Sequence, residues 1–169
     1  MRQRSSSHTK PRQPQASAFA SGLRLLGRRA HSRVELRRKL DRRGYSAGET
    51  EVALNRLVEL GYLDDRSFAE GLVRRRGAAR GPLALSAELA ARGVDRALAD
   101  GALSGFEPEA QLAAATRLAE RLYARKPALG DREMLNQVGS KLMRRGFSAT
   151  TVRAACWTVL SGASPSPED

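Results

Sequence analysis

A five-position pattern occurs three times along the 169-residue chain and constrains its fold more than any other feature. In each copy an apolar residue is followed four positions later by another apolar residue, and four positions later again by a glycine. A bulky apolar residue and a helix-capping residue then complete the pattern. The copies are Leu36–Leu40–Gly44–Tyr45–Ser46, Leu85–Leu89–Gly93–Val94–Asp95 and Val138–Leu142–Gly146–Phe147–Ser148. Since the glycines lie 49 and 53 residues apart, the pattern predicts a tandem array of similar helical units.

Helix start signals surround each copy of the pattern. Ser32 with Glu35, and Ser46 with Glu49, fit capping boxes, in which a serine hydroxyl and a glutamate carboxylate each accept a hydrogen bond from an exposed backbone N–H. Further predicted start signals are Ser17, Asp65, Pro82, Asp95, Asp131 and Ser148. No segment has the alternation that is typical of a strand, so the sequence predicts an all-α protein.

The start signals divide the chain into tandem three-helix repeats, three units in all. The predicted boundaries are 17–64, 65–105 and 106–161 for the three repeats, with a disordered basic arm over 1–16 and a disordered tail over 162–169. The arm is polar and contains basic residues and prolines but no acid, a composition that cannot form a core of its own.

The charge balance of the chain indicates what kind of partner it contacts. The chain contains 30 Lys and Arg against 18 Asp and Glu, a formal net charge of +12, which indicates contact with a polyanion or an acidic protein surface. An inert basic surface remains the alternative. No segment has the length and apolarity of a membrane span, and a single cysteine excludes an internal disulfide framework. We therefore expect a cytoplasmic protein that does not enter a membrane.

Two groups of basic residues stand out. Nine lie between Arg24 and Arg43, where the only acids are Glu35 and Asp41, and such a density cannot be buried. The second group is the Arg74–Arg76 triplet with Arg80. Cations in the last turn of a helix also suit the helix dipole, which offers a purely structural explanation of the triplet.

The sequence contains no pattern that is typical of a catalytic site. There is no phosphate-binding loop, and neither histidine has ligand spacing around it, so we interpret His31 as a surface residue. Cys156 lies on or beside an apolar helix face and is expected to be a buried structural thiol. We expect no catalytic residue, no cofactor and no metal site, and hence a protein that is not an enzyme. Four aromatic residues are expected to pack in the core or between units: Tyr45, Tyr62, Phe147 and Trp157.

The segment ELGYLDDRSFAEGLVRRR, Glu59–Arg76, closely resembles the signature of the RecX family. The Leu-x3-Leu-x3-Gly element before it and the Gly81–Gly93 segment after it are similar to that family as well, and the resemblance extends over residues 17–160. It implies tandem three-helix repeats in an elongated, curved array. It also implies a non-enzymatic modulator of the RecA recombinase that binds the RecA nucleoprotein filament, inhibits its ATPase and strand-exchange activities, and limits filament growth.

The expected partners follow from the resemblance together with the charge. They are the RecA filament and single- and double-stranded DNA, the latter bound largely independently of sequence, and we expect the protein to be a monomer. The contact residues are assigned on electrostatic grounds and are Arg28, Arg29, Arg33, Arg37, Arg38, Arg42, Arg43, Arg74, Arg75, Arg76 and Arg80. Two alternatives stay open: a free-standing basic helical nucleic-acid-binding protein, and an adaptor that binds an acidic partner unrelated to recombination.

Overall fold

The computed structural model describes residues 16–125 and 130–163, and all regular structure within these ranges is helical. The predicted all-α fold of three tandem three-helix repeats is confirmed. The chain divides into two compact units, Met1–Asp64 with the first repeat and Asp65–Asp169 with the other two. Nearly all of the predicted arm, and the predicted tail from residue 164 onward, lie outside the described residues.

The first repeat consists of three helices with serine caps: α1 (Ala18–Leu26), α2 (Arg33–Asp41) and α3 (Ala47–Glu59). The Ser17 and Ser32 hydroxyls accept hydrogen bonds from the backbone N–H groups of Ala20 and Glu35, each at 3.1 Å. At α3 both halves of the predicted capping box are present. The core of this repeat is built mainly from leucines: Leu25, Leu36, Leu40, Leu54, Leu57 and Leu63.

The second repeat consists of α4 (Asp65–Arg76), α5 (Pro82–Ala91) and α6 (Arg96–Ser104). Pro82 occupies the first turn of α5, and the Asp95 carboxylate caps α6 by accepting from the Ala97 N–H at 2.8 Å, both as predicted. Asp65 was predicted to be a cap but is the first helical residue of α4. The difference of one position leaves its carboxylate in the first turn, where the helix dipole still favours it.

The third repeat begins with α7 (Pro108–Tyr123) and ends with α10 (Ala149–Ala163). Between them α8 (Asp131–Met134), a π-helical segment (Leu135–Gly139) and α9 (Ser140–Arg144) follow one another without a gap. Gly130 takes the cap position that was predicted for Asp131. The last helix continues to Ala163, two residues into the segment that was predicted to be a tail.

The repeated pattern has the same structure in all three repeats. Its glycines, Gly44, Gly93 and Gly146, have φ values of +88°, +75° and +87°, the left-handed region that glycine enters without strain. Each one follows the middle helix of its repeat, which is α2, α5 or the continuous run of α8, the π-helical segment and α9. Each one lets the next residue turn back into the core. The apolar positions of all three copies are buried, none more than 7% exposed: Leu36, Leu40, Tyr45, Leu85, Leu89, Val94, Val138, Leu142 and Phe147.

Two of the four aromatic residues do not pack as expected. Tyr45 and Phe147 are buried, but Tyr62 is 55% and Trp157 is 66% exposed, so the packing prediction was wrong for these two. Tyr62 follows Gly61, whose φ of +72° turns the chain so that Leu63 enters the core instead. Trp157 directly follows the buried Cys156, and one step along a helix moves a side chain about 100° around the axis.

His31 is buried, so the prediction that it is a surface residue was wrong. Its side chain is only 2% exposed, and its Nδ1 lies 3.3 Å from Oε2 of Glu35, one helical turn further on. Burial, followed by the nearby charge of Arg29, lowers the pKa of His31 below its ordinary value of 6.5, while Glu35 acts in the opposite direction. The imidazole is therefore neutral at physiological pH.

The second and third repeats meet through their backbones. At the start of α5, the Gly81 N–H donates to the Arg145 carbonyl at 2.8 Å, and the Leu83 N–H donates to the Gly146 carbonyl at 3.1 Å. Exposed donors at one helix N-terminus are thus satisfied by acceptors just beyond the end of another, an arrangement that the helix dipoles also favour. A Cβ atom on Gly81 would lie 2.3 Å from the Gly146 carbonyl oxygen, so only glycine fits.

The substitution Gly81→Ala should destabilise the second unit by about 2 kcal/mol or more, because the added methyl group must push backbone away from backbone. Gly101→Ala on α6 is the matched control, since nothing lies within 4 Å of its added Cβ. It should be neutral or stabilise by about 0.5 kcal/mol. Urea unfolding followed by circular dichroism measures both changes. Equal stability of the two variants would contradict the described backbone contact.

A second prediction concerns pH. With the pKa of His31 lowered in the folded state, the unfolded chain binds more protons below about pH 6.5, so stability is lost as the pH falls through that range. The melting temperature should therefore fall between about pH 7.5 and about pH 5.5. His31→Gln should flatten this dependence, whereas His8→Gln should leave it intact. An unchanged pH dependence in His31→Gln would contradict the assignment.

Candidate partner-binding surfaces

The acids of the first unit are already engaged by neighbouring side chains. The Glu51 carboxylate on α3 pairs with two arginines of α2, with Arg33 at 2.9 Å and with Arg37. Arg33 also donates to Oδ1 of Asn55 at 2.7 Å. These contacts hold α2 against α3 and partly neutralise the charge of both arginines.

The two acids within the basic segment are engaged in the same way. Glu35 lies 3.2 Å from Nη1 of Arg29 and also contacts His31. Asp41 accepts a hydrogen bond from the Thr50 hydroxyl at 3.2 Å. Of these two acids, Glu35 is therefore already paired with a cation, whereas Asp41 is exposed and keeps its negative charge beside its hydrogen bond to Thr50.

Four of the predicted contact arginines of the first unit are left with their full charge: Arg28, Arg38, Arg42 and Arg43. All four are exposed, and no ion pair joins any of them to an acid in the part of the chain that the structure describes. Leu36 and Leu40 turn the opposite side of α2 into the core, so the outward side carries Arg38 and, one turn later, Arg42. The first unit thus presents a concentrated positive surface.

In the second unit two of the four predicted arginines lie beside one acid. Nη1 of Arg76 and Nη1 of Arg80 lie 3.4 Å and 3.5 Å from Oε2 of Glu88. The other oxygen of Glu88 accepts from Arg92 at 2.7 Å and 3.2 Å. We call these four residues the Glu88 cluster. Arg74 and Arg75, just before it on α4, are exposed and have no ion pair among the described residues.

Sequence reasoning missed two arginines of this region, Arg92 and Arg145. Arg92 belongs to the Glu88 cluster, and Arg145 donates from Nη1 to the Ala79 carbonyl at 3.4 Å, directly before Arg80 in the chain. The repeat register contained a signal for both. A basic residue stands immediately before each pattern glycine, as Arg43, Arg92 and Arg145.

A cavity of about 460 Å³ opens where the second and third repeats join. Its walls are mostly small or apolar, with Val73, Ala102 and Phe106 among them, and two arginines, Arg74 and Arg117, also line it. Phe106 packs against the cores of both repeats and so places this cavity at their shared boundary.

Neither a metal site nor a membrane-spanning helix is found among the residues that the structure describes. Burial raises the pKa of the Cys156 thiol, which is fully buried as predicted and so is not placed to act as a nucleophile. Within residues 16–125 and 130–163, no three or more His, Cys, Asp or Glu side chains are grouped as a metal site would need. No helix among those residues combines the length and apolarity needed to cross a bilayer.

Of the eleven arginines predicted as contacts, seven lie in the first unit and four in the second. All are exposed except Arg33, which is partly buried against α3. The structure brings Arg76 and Arg80 together at Glu88, and Arg33 and Arg37 together at Glu51.

Comparison with known proteins matches every repeat to one family. The models of the first, second and third three-helix domains of RecX match residues 18–57, 64–103 and 109–156. Each matched range spans parts of all three helices of its repeat.

Curated relatives agree over most of the chain. The regulatory protein RecX of Halorhodospira halophila is 42% identical over 136 residues, which cover 80% of this chain and 83% of its own length. The regulatory protein RecX of Mycolicibacterium vanbaalenii is 41% identical over 142 residues, covering 79% and 77%.

A crystal structure of RecX from Lactobacillus salivarius superposes with a TM-score of 0.77, covering 85% of this chain and 95% of that one. Its 23% sequence identity makes this a likeness of fold alone. With three matched domains in register and relatives above 40% identity, the chain belongs to the RecX family of regulatory proteins.

Proposed function

We propose that this protein binds the RecA nucleoprotein filament in the cytoplasm and inhibits its ATPase, strand exchange and growth, thereby modulating recombination and the DNA-damage response. Membership of a family of regulatory proteins supports a regulatory role rather than a catalytic one. The observation that carries the proposal is the set of exposed arginines whose neighbouring acids are already engaged.

The chemistry of such a filament fits this surface. A guanidinium can bind either a phosphate or a carboxylate in a bidentate geometry, so arginines can contact both the DNA backbone and acidic protein surface. Contacts to phosphate release counterions, which makes affinity strongly dependent on salt. An inhibitor of this kind needs no active site of its own.

The predicted arginines are not all expected to contribute equally to binding. Arg38, Arg42, Arg74 and Arg75 are exposed and have no ion pair among the described residues, so we propose these as the principal contacts, together with Arg28 and Arg43. The acid-paired ones, Arg29, Arg33 and Arg37, keep α2 in place and contribute secondarily.

A free-standing nucleic-acid-binding protein is the second candidate, favoured by the same positive surface. It differs in that binding to DNA alone would account for any effect on RecA. Binding without sequence preference is expected in either case, because phosphate contacts carry no sequence information. An adaptor for another acidic partner would instead leave RecA activity unchanged.

The test is the single-stranded-DNA-dependent ATPase rate of cognate RecA, titrated with this protein. We expect inhibition well below equimolar protein, because blocking filament growth affects many subunits at once. Arg38→Glu/Arg42→Glu should raise the half-inhibitory concentration about tenfold or more, since two contacts worth about 1 kcal/mol each are replaced by repulsion.

Arg56→Glu/Arg96→Glu is the matched control. It changes the net charge by the same amount at two exposed arginines that pair with acids nearby in their own helices, Glu59 and Asp100. Equal loss of inhibition in both variants would mean that only net charge matters. No inhibition by the wild-type protein, with DNA binding intact, would overturn the RecA proposal and favour the plain nucleic-acid binder.

A further inference from the structure

Glu88 occupies an unusual place in the second repeat, because one nearly buried carboxylate faces three arginines. Its side chain is 12% exposed, while those of Arg76 and Arg80 are 46% and 45% exposed. Three positive charges against one negative leave the Glu88 cluster with a net charge of about +2, on the side of the repeat that Arg76 and Arg80 present to solvent.

The two oxygens of Glu88 have different partners. Oε1 accepts from Nε and Nη2 of Arg92, whose guanidinium also lies over the Phe68 ring with 5.9 Å to its centroid. Arg92 is therefore held between an aromatic ring and a carboxylate and is only 24% exposed. It serves as an anchor for Glu88 rather than as a ligand-binding group.

The other oxygen of Glu88, Oε2, attracts two guanidinium groups but accepts a hydrogen bond from neither. Oε2 is buried and accepts no hydrogen bond from any residue that the structure describes, although Nη1 of Arg76 and Nη1 of Arg80 lie at ion-pair distance. Each guanidinium has five N–H donors. The Coulomb attraction of Glu88 thus orients both groups, and their donors remain available to a ligand.

The backbone that carries these arginines is held firmly. Arg76 is the last residue of α4, and the Arg80 N–H donates to the Arg76 carbonyl at 2.9 Å, which closes a turn that brings both side chains to Glu88. The next residue, Gly81, is bonded to the Arg145 carbonyl. Little ordering entropy would remain to be lost when an anion binds.

We propose that Glu88 is a positioning residue that holds Arg76 and Arg80 as a two-guanidinium site for a phosphate of the nucleic-acid backbone. The site rests on the proposed function, to which it adds a defined DNA contact in the second repeat. Two guanidinium groups at one point suit an anion with several acceptor oxygens, and a phosphodiester supplies them.

Whether a substitution of Glu88 weakens or tightens DNA binding distinguishes the positioning role from a purely electrostatic effect. Removing a negative charge beside a DNA-binding surface should tighten binding if Glu88 acts only through its charge. If Glu88 positions the arginines, the same change should weaken binding. Glu88→Gln is the suitable variant, because its amide oxygen can still accept from Arg92.

The experiment measures the fluorescence anisotropy of a labelled single-stranded oligothymidylate titrated with the full-length protein. Glu88→Gln should raise Kd about threefold or more, and the slope of log Kd against log salt should become shallower as a phosphate contact is lost. The control Glu70→Gln removes an exposed carboxylate of α4 and should leave Kd unchanged or lower it.

A double-mutant cycle then tests the connection through Arg80. Arg80→Gln should weaken binding in the wild-type protein and have a smaller effect in Glu88→Gln, because the guanidinium is no longer oriented there. Independent effects that simply add would overturn the positioning role. Should circular dichroism show that Glu88→Gln is unfolded, Arg76→Gln/Arg80→Gln takes its place and must weaken binding more than Arg56→Gln/Arg96→Gln.

The other outcomes are equally decisive. Unchanged or tighter oligonucleotide binding by folded Glu88→Gln overturns the site, and weaker RecA inhibition in that case would mean that the cluster faces acidic protein. Absence of oligonucleotide binding by the wild-type protein at low salt overturns it as well. Because this assay contains no RecA, a failure to inhibit RecA counts against the proposed function only.

Discussion

The left-handed turn that follows the middle helix of each repeat is the constraint on which the rest of the structure depends. At Gly44, Gly93 and Gly146 the chain reverses within a single residue and returns a bulky apolar side chain to the core. Both apolar positions of the middle helix must then face inward, and in the first repeat this leaves the basic residues of α2 on its outer side. In the first repeat, core formation and the positive surface are therefore two results of one local geometry.

The parts of the fold that could be predicted from the sequence are those set by local chemistry. The capping box at Ser46 and the cap at Asp95 depend on neighbouring residues only, and both are confirmed. The exposure of Trp157 also follows from local periodicity, because it lies off the apolar face of α10, whereas the burial of His31 depends on how helices pack around it, which periodicity does not specify. The basic surface was visible as composition, but its division into engaged and unengaged arginines was not.

That division is decided by a few acids reached across helix boundaries. Glu51 on α3 pairs with two arginines of α2, and Glu88 on α5 gathers arginines from the end of α4 and the following loop. Partners 14 to 18 residues apart in one case and 8 to 12 in the other meet only after the helices have packed. Net charge alone does not show which arginines are paired with acids and which are available to a partner.

The backbone contact between Gly81 and the turn at Gly146 makes the second and third repeats mechanically one piece. At this contact the hydrogen bonds join main chain directly to main chain, from Gly81 to Arg145 and from Leu83 to Gly146. A chain cut after residue 105 would leave the Gly81 and Leu83 donors without acceptors, so the second repeat is not an interchangeable module. Force applied to the third repeat is transmitted directly to the loop that carries Arg80.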